Sequence, residues 1–141
     1  MAAGRRLRYD RATLIFAGRD TMEDYQFECT SPEVAELAHV IADLFPEQTR
    51  FVERADAGTH WLAVHWMGLR FSSAPRRMSL DIRLPAPVWA RYAAMKPLAR
   101  ARSHAVLRAY VEAWIGSIEE RHAEGETVER DNELELDETF A

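Results

Sequence analysis

The sequence contains very little cysteine and no long apolar run, and each absence excludes a class of protein. Cys29 is the only cysteine, so no disulfide bond can form within the chain and a reducing compartment is the default. No apolar run approaches the ~20 residues that a membrane-spanning helix needs. The basic stretch of residues 1–8 is not followed by the apolar segment of a secretory signal. We therefore expect a cytoplasmic protein that does not associate with membranes.

Motifs that would identify a chemistry are also missing from the sequence. It has no glycine-rich loop of the kind that holds phosphate groups, and Ser103 with His104 lacks the setting of a nucleophile elbow. His60 and His65 lie five residues apart in a strand-like segment, so they point to opposite faces and do not form a metal site. Cys29 falls on the predicted buried face of a strand, where packing is favoured over thiolate chemistry. The sequence therefore assigns no catalytic, cofactor-binding or metal-binding residue, and it does not favour an enzyme.

The composition is that of one globular domain. The 141 residues are 48% hydrophobic and 29% charged, which is ordinary for a folded protein that buries a core without disulfides or metals. Lys96 is the single lysine among 18 basic residues, and alanine is abundant. Because the codons for arginine and alanine are GC-rich, we interpret the chain as bacterial.

Periodic patterns predict strands and helices in the order β-β-α-β-β-β-α. Ser31, Pro32 and Glu33 form a helix start, and an apolar stripe continues from there to residue 45. Strict alternation of apolar and polar residues is typical of half-buried strands. The patterns together predict an α+β domain over residues 1–123, with an antiparallel sheet of about five strands packed against helices. The predicted strands are Arg8–Ala17, Asp24–Cys29, Arg50–Arg54, His60–Met67 and Arg77–Leu84, and the predicted helices are 31–45, 88–95 and 98–122.

The predicted long helix has two apolar faces. Its large residues, among them Leu107, Val111 and Trp114, form the face that is expected to close the core. The opposite side is a band of small residues where another backbone can approach closely, either from a second copy or from the same domain. We predict a homodimer through this band. The candidate interface consists of Ala101, Ala105, Ala109 and Gly116.

The C-terminal residues 124–141 are strongly acidic. They contain eight acidic residues and one basic residue, a net charge of −7. Such segments seldom contain enough apolar area to fold, so we predict a flexible tail outside the domain. Two alternatives remain open, which are an acidic arm that covers a basic surface and an added edge strand. The edge strand would use the alternating Val128, Leu134, Leu136 and Phe140.

Residues 70–108 have the opposite charge. They contain nine basic residues and a single acidic residue, Asp81. Clustered arginines are typical of surfaces that bind polyanions or acidic partners, although ordinary exposed arginines also explain the pattern. The candidate surface consists of Arg70, Arg76, Arg77, Arg83, Arg91, Arg100, Arg102 and Arg108.

These observations favour a small, non-catalytic protein that binds a protein or peptide partner and forms a homodimer. The first alternative is a nucleic-acid-associated or regulatory protein that uses the arginine-rich segment. The second is an enzyme whose site is assembled from residues far apart in the chain. A continuous arginine stripe would favour nucleic acid, a pocket of convergent polar groups would favour an enzyme, and a large apolar patch would favour the interaction module.

Overall fold

The computed structural model describes residues 24–68, 76–125 and 128–141. Over these ranges the chain forms one five-stranded sheet and three α-helices, which confirms the predicted α+β class. The predicted strand Arg8–Ala17 and the predicted surface residue Arg70 lie outside the described residues. The strands are β1 (Gln26–Glu28), β2 (Arg50–Asp56), β3 (Thr59–Met67), β4 (Arg77–Leu84) and β5 (Asp131–Glu135), and the helices are α1 (Pro32–Ile41), α2 (Ala86–Ala93) and α3 (Pro97–Ala123).

The sheet is mixed, which corrects the prediction of an antiparallel one. Its strands lie in chain order, β1 to β5, with antiparallel pairs in the centre. Both edge strands run parallel to their neighbours, β1 to β2 and β5 to β4. A parallel pair needs a long crossover connection. Here α1 provides the crossover between β1 and β2, and the α2–α3 pair provides the one between β4 and β5.

A two-residue turn joins β2 to β3. Asp56 pairs with Thr59, which leaves Ala57 and Gly58 as the turn residues. Both have positive φ angles, 52° and 87°, as a hairpin turn of type I′ requires. This turn matches the twist of the two strands, so it fixes their register.

The first helix begins as its sequence predicts. The side chain of Ser31 accepts a hydrogen bond from the backbone N–H of Val34, and Pro32 occupies the first turn. A carboxylate on β2, Glu53, accepts hydrogen bonds from the backbone N–H and the hydroxyl of Ser31, at 2.8 and 3.1 Å. The contact joins the start of α1 to the sheet. A short 3-10 turn over Ala42–Leu44 then ends the helical segment.

The core lies between one face of the sheet and the helices. Alternate residues of β3 and β4, such as Leu62, Leu80 and Ile82, are fully buried on this face. Helix α1 adds Leu37 and Ile41, and α3 adds the large residues of its predicted core face. The other face of the sheet is not covered by any of the described helices, and we call it the open face.

The acidic segment differs from the separate tail that the sequence predicts. Residues 131–135 form β5 at the edge of the sheet, and Val128, Leu136 and Phe140 are at most 4% exposed. The hydroxyl of Ser103, on α3, donates a hydrogen bond of 2.6 Å to the carbonyl of Phe140. The apolar residues of this segment bury enough surface to attach it to the domain, which its high charge does not indicate. The acidic residues between them face outward.

Candidate functional site

The open face of the sheet contains pairs of opposite charge that join different strands. Arg50 and Glu28 approach to 2.9 Å and Arg83 and Glu135 to 2.6 Å. Arg54 lies 3.2 Å from Asp81, and its guanidinium also lies over the ring of Trp61. These exposed pairs each contribute little to stability. They do balance the charge over most of the open face.

One row of cross-strand neighbours crosses all five strands of this face. In β2 the row falls at the start of the strand, in β3 towards its end, and in β4 and β5 again near the start. Antiparallel pairing in the centre and parallel pairing at both edges therefore gather residues from five strands at one end of the sheet. We call this set the polar row, and it consists of Gln26, Arg50, His65, Ser79 and Asp131.

A groove of about 450 Å³ lies against the polar row. We call it the basic groove. It continues into a shallower depression of about 600 Å³ that shares His65, Ser79 and Asp131 with it. The charged, imidazole and exposed apolar side chains that line the basic groove are Arg50, His65, Met67, Arg77, Arg130 and Asp131.

The cations of the basic groove differ in their partners. Arg50 donates hydrogen bonds to both carboxylate oxygens of Glu28. The exposed side chains of Arg77 and Arg130 form no hydrogen bond or ion pair with any other described residue. Among the described residues, Asp131 is the single acidic one that lines the groove, and it accepts a hydrogen bond of 3.0 Å from the hydroxyl of Ser79. The groove therefore carries a net positive charge with two guanidinium groups available.

The structure does not bring the predicted arginine surface together within the described residues. Arg77 and Arg83 lie on the open face of the sheet. Arg102 is exposed on α3. The remaining members each have a partner inside the protein: Arg76 donates to the carbonyl of Val128, Arg91 to that of Ala141, Arg100 to the carboxylate of Glu36 and Arg108 to that of Asp43.

Two of the groove arginines, Arg50 and Arg130, were not part of the predicted surface. Each lies in a segment that is not unusually basic, so a count of charge along the chain does not find them. The hairpin registers of β2, β3 and β4 place Arg50 beside His65 and Ser79. The pairing of β5 with β4 brings Arg130 to the same end, and only that long-range contact completes the groove.

The small-residue face of α3 is exposed in the described chain. Ala101, Ala105, Ala109 and Gly116 are all accessible. A Cβ atom added at Gly116 would meet no atom within 4 Å. Leu98, on the same side of the helix, is 88% exposed. This face is therefore an apolar surface with no described partner inside the protein.

A buried polar network joins the three helices. The hydroxyl of Tyr92 lies 2.8 Å from Nε2 of His104 and 3.3 Å from the carbonyl of Glu33. A carboxylate oxygen of Glu36 lies 3.5 Å from the same Nε2, so we assign the proton of the imidazole to Nε2. His104 then donates to Tyr92, and Tyr92 donates to the Glu33 carbonyl. Nε of Arg100 donates to Glu36 at 3.0 Å.

Burial is the main cause of the shifted pKa values of His104 and Tyr92. It lowers the pKa of His104, against the opposing effect of Glu36 and with a smaller contribution from Arg100. Burial also raises the pKa of Tyr92 above its ordinary range. Both side chains are therefore neutral near pH 7. The sequence shows no carboxylate close to His104 because Glu36 belongs to α1, far away in the chain.

The described residues include other side chains that can bind metals or act as nucleophiles. They contain no group of three or more His, Cys, Asp or Glu side chains that could hold a metal ion. Burial, with help from Glu53 and Glu28, raises the pKa of Cys29 to about 11, so its thiol is protonated and weakly nucleophilic at neutral pH. None of the described helices combines the length and the apolar character of a membrane span.

Comparison with known protein families identifies a match over most of the described chain. The model of a family described as "Protein of unknown function (DUF3022)" matches residues 34–137, well over half of the chain. No curated protein and no solved structure matches. The matched region runs from α1 to just beyond β5 and includes the basic groove, the exposed face of α3 and the acidic edge strand.

Proposed function

Because the chain belongs to the DUF3022 family, whose description assigns no activity, we propose a function from the surfaces of the molecule. The protein is a non-catalytic interaction module of the bacterial cytoplasm, and it acts as a homodimer that binds a further protein or peptide partner. The observation that carries this proposal is the exposed apolar face of α3, which spans most of a 27-residue helix.

A second copy of the same helix fits this face. If two α3 helices pack antiparallel about a two-fold axis midway between Ala105 and Ala109, each of these residues meets the other one across the axis. The same axis places the exposed Leu98 of one copy over Gly116 of the other, where the missing side chain leaves room. Small residues in the centre allow the two backbones to approach closely.

Charge favours the antiparallel arrangement over the parallel one. The exposed residues Arg102 and Glu112 flank the small face at equal distances from the proposed axis. Antiparallel packing pairs the arginine of one copy with the glutamate of the other, whereas parallel packing brings like charges together. The open faces of the two sheets then point away from the dimer, because α3 lies on the core side of each sheet. Both basic grooves stay accessible to partners.

Substitution in the middle of the face tests the dimer. We expect wild-type protein to scatter light as a dimer, and Ala109→Arg to convert it into a folded monomer, because a long charged side chain separates the two backbones. Ala99→Arg is the matched control, since Ala99 is exposed on another side of α3. Circular dichroism confirms that each variant is folded. A wild-type protein that is monomeric at its highest soluble concentration contradicts the proposal.

Charge reversal tests the orientation. Arg102→Glu and Glu112→Arg should each weaken the dimer, because each single change places like charges opposite one another. The double variant restores opposite charges and should recover most of the lost affinity in analytical ultracentrifugation. Additive losses in the double variant would rule out the antiparallel pairing while leaving the Ala109→Arg result to decide whether α3 is the interface.

A further inference from the structure

We propose that the basic groove binds a small anion, with a phosphate or carboxylate group held by Arg77 and Arg130. This inference concerns the open face of the sheet and does not depend on the dimer through α3. The groove takes one acidic group of a small molecule.

The first argument is the convergence of groups that bind oxyanions. Arg77 at the start of β4 and Arg130 just before β5 line the same groove, together with His65 from the end of β3. A guanidinium group has a planar set of donors that matches the oxygens of a phosphate or a carboxylate. Three separate strands position these groups, so the arrangement comes from the fold of the sheet.

The second argument is that Arg77 and Arg130 have no ion-pair partner among the described residues, unlike the other arginines of the open face. Arg50 pairs with Glu28, Arg83 with Glu135 on the neighbouring strand, and Arg54 with Asp81 across β3. Arg77 and Arg130 have no such partner among the described residues. The nearby Asp131 is engaged by the hydroxyl of Ser79. Two guanidinium groups in one groove repel each other, and an anion between them would relieve that repulsion.

The third argument concerns the size and the class of the ligand. A volume of about 450 Å³ lies in the range of small-molecule sites. Met67 is 54% exposed beside the groove, so an apolar part of the ligand has a surface to contact. Beyond the groove the open face carries acidic residues, namely Glu28, Asp56, Asp81, Glu133 and Glu135. Three of them pair with arginines, so Asp56 and Glu133 are the negative charges that remain without an ion pair among the described residues. These two charges disfavour a polynucleotide backbone that runs across the sheet, which favours a compact anion.

Titration with inorganic phosphate, followed by NMR of the backbone amides, tests the proposal. We expect shifts confined to residues of the polar row and to Arg77 and Arg130. Arg77→Gln and Arg130→Gln should each weaken binding about tenfold, as expected for loss of a charged hydrogen bond. Arg102→Gln is the matched control, because Arg102 is exposed on α3 far from the sheet. A titration with sodium chloride corrects for ionic strength.

A further variant and two further ligands sharpen the test. Asp131→Asn removes the acidic residue from the groove and should strengthen phosphate binding several-fold. Acetate compared with a simple phosphomonoester tells which acidic group the groove prefers, and binding of either supports the proposal. It is overturned if no small anion shifts the groove residues, if Arg102→Gln weakens binding as much as Arg77→Gln, or if a short DNA duplex binds while phosphate and phosphomonoester do not.

Discussion

At the scale of single residues, the polar network of His104 shows how the fold creates an environment that the sequence does not reveal. The imidazole is held between α1 and α2, with Tyr92, Glu36 and Arg100 as its ionisable neighbours. Burial and the cation of Arg100 disfavour the charged imidazole, and the carboxylate of Glu36 favours it. Burial has the largest effect, so the pKa of His104 falls below its ordinary value of 6.5.

This shift predicts that acid destabilises the protein. The unfolded chain binds a proton at His104 more readily than the folded protein does, so the stabilising effect of the neutral imidazole is present above pH 6.5 and is lost as the pH falls through the folded-state value. We expect the thermal midpoint to fall between about pH 7 and about pH 5. His104→Gln, which does not titrate, should show a smaller fall over the same range.

His122→Gln is the control for this experiment. His122 is exposed near the end of α3, so its removal should leave the pH profile of the thermal midpoint close to that of the wild type. An identical acid response in His104→Gln and wild-type protein would show that the network does not cause it.

At the scale of elements, the turn between β2 and β3 contains a residue that its geometry does not suit. Ala57 has a φ of 52°, in the left-handed region where a Cβ atom is unfavourable. Asparagine tolerates this region well and is common at the first position of a type I′ turn. Ala57→Asn should therefore stabilise the protein by about 0.5–1 kcal/mol.

The midpoint of thermal unfolding measures the stabilisation by Ala57→Asn. Gly58→Ala is a second variant of the same turn, for which we expect the opposite sign. Gly58 has a φ of 87°, and an added Cβ atom would lie 3.3 Å from Cβ of Ala86. That variant should lower the midpoint, whereas Ala57→Asn should raise it. A lower midpoint for Ala57→Asn would show that the turn is held in place by contacts other than its own backbone preference.

The elements that the sequence predicts well are those whose signals are local. Ser31 and Pro32 mark the start of α1, and the alternation over Arg77–Leu84 matches β4 at both ends. The parallel edges of the sheet depend on contacts between distant segments, so no local pattern reports them. For β5, the alternation of Leu134 and Leu136 in the sequence indicates an edge strand, but the acidic residues around them favour a flexible tail.

The candidate site was harder to predict than the fold for the same reason. The small-residue face of α3 follows from the periodicity of one helix, and its four residues are exposed in the structure. Their role as an interface stays a prediction. The basic groove depends on strand register and on the β4–β5 pairing, which brings Arg130 to Arg77. Counts of charge along the chain instead selected arginines such as Arg100 and Arg108, which the structure pairs with acidic residues.

At the scale of the whole molecule, the segregated charges of the sequence become contacts within one fold. The acidic segment lies along the edge of β4, and Glu135 pairs with Arg83 at 2.6 Å. Arg91 donates to the carbonyl of Ala141 at 2.7 Å. The arrangement agrees with the alternative of an added edge strand. It also leaves the small-residue face of α3 and the open face of the sheet uncovered by the other described elements.

Removal of the C-terminal segment tests whether it is part of the fold. Deletion of residues 128–141 removes β5 and exposes the core around Leu136 and Phe140, both of which are buried. Truncation of one large core residue costs about 2–5 kcal/mol, and small domains have only about 5–15 kcal/mol of stability in total. We therefore expect the deleted protein to be largely unfolded in urea titrations that leave the wild type native.

Point variants separate the apolar contribution of this segment from its charge. Leu136→Ala should lower the free energy of unfolding by about 2–5 kcal/mol, whereas Glu138→Gln, at an exposed position in the same segment, should change it by less than about 0.5 kcal/mol. If the deletion and Leu136→Ala both leave the urea midpoint unchanged, the segment is the independent tail that its charge predicts. If both lower it, the buried apolar residues hold β5 against β4, and the acidic residues between them lie on the exposed side of the segment.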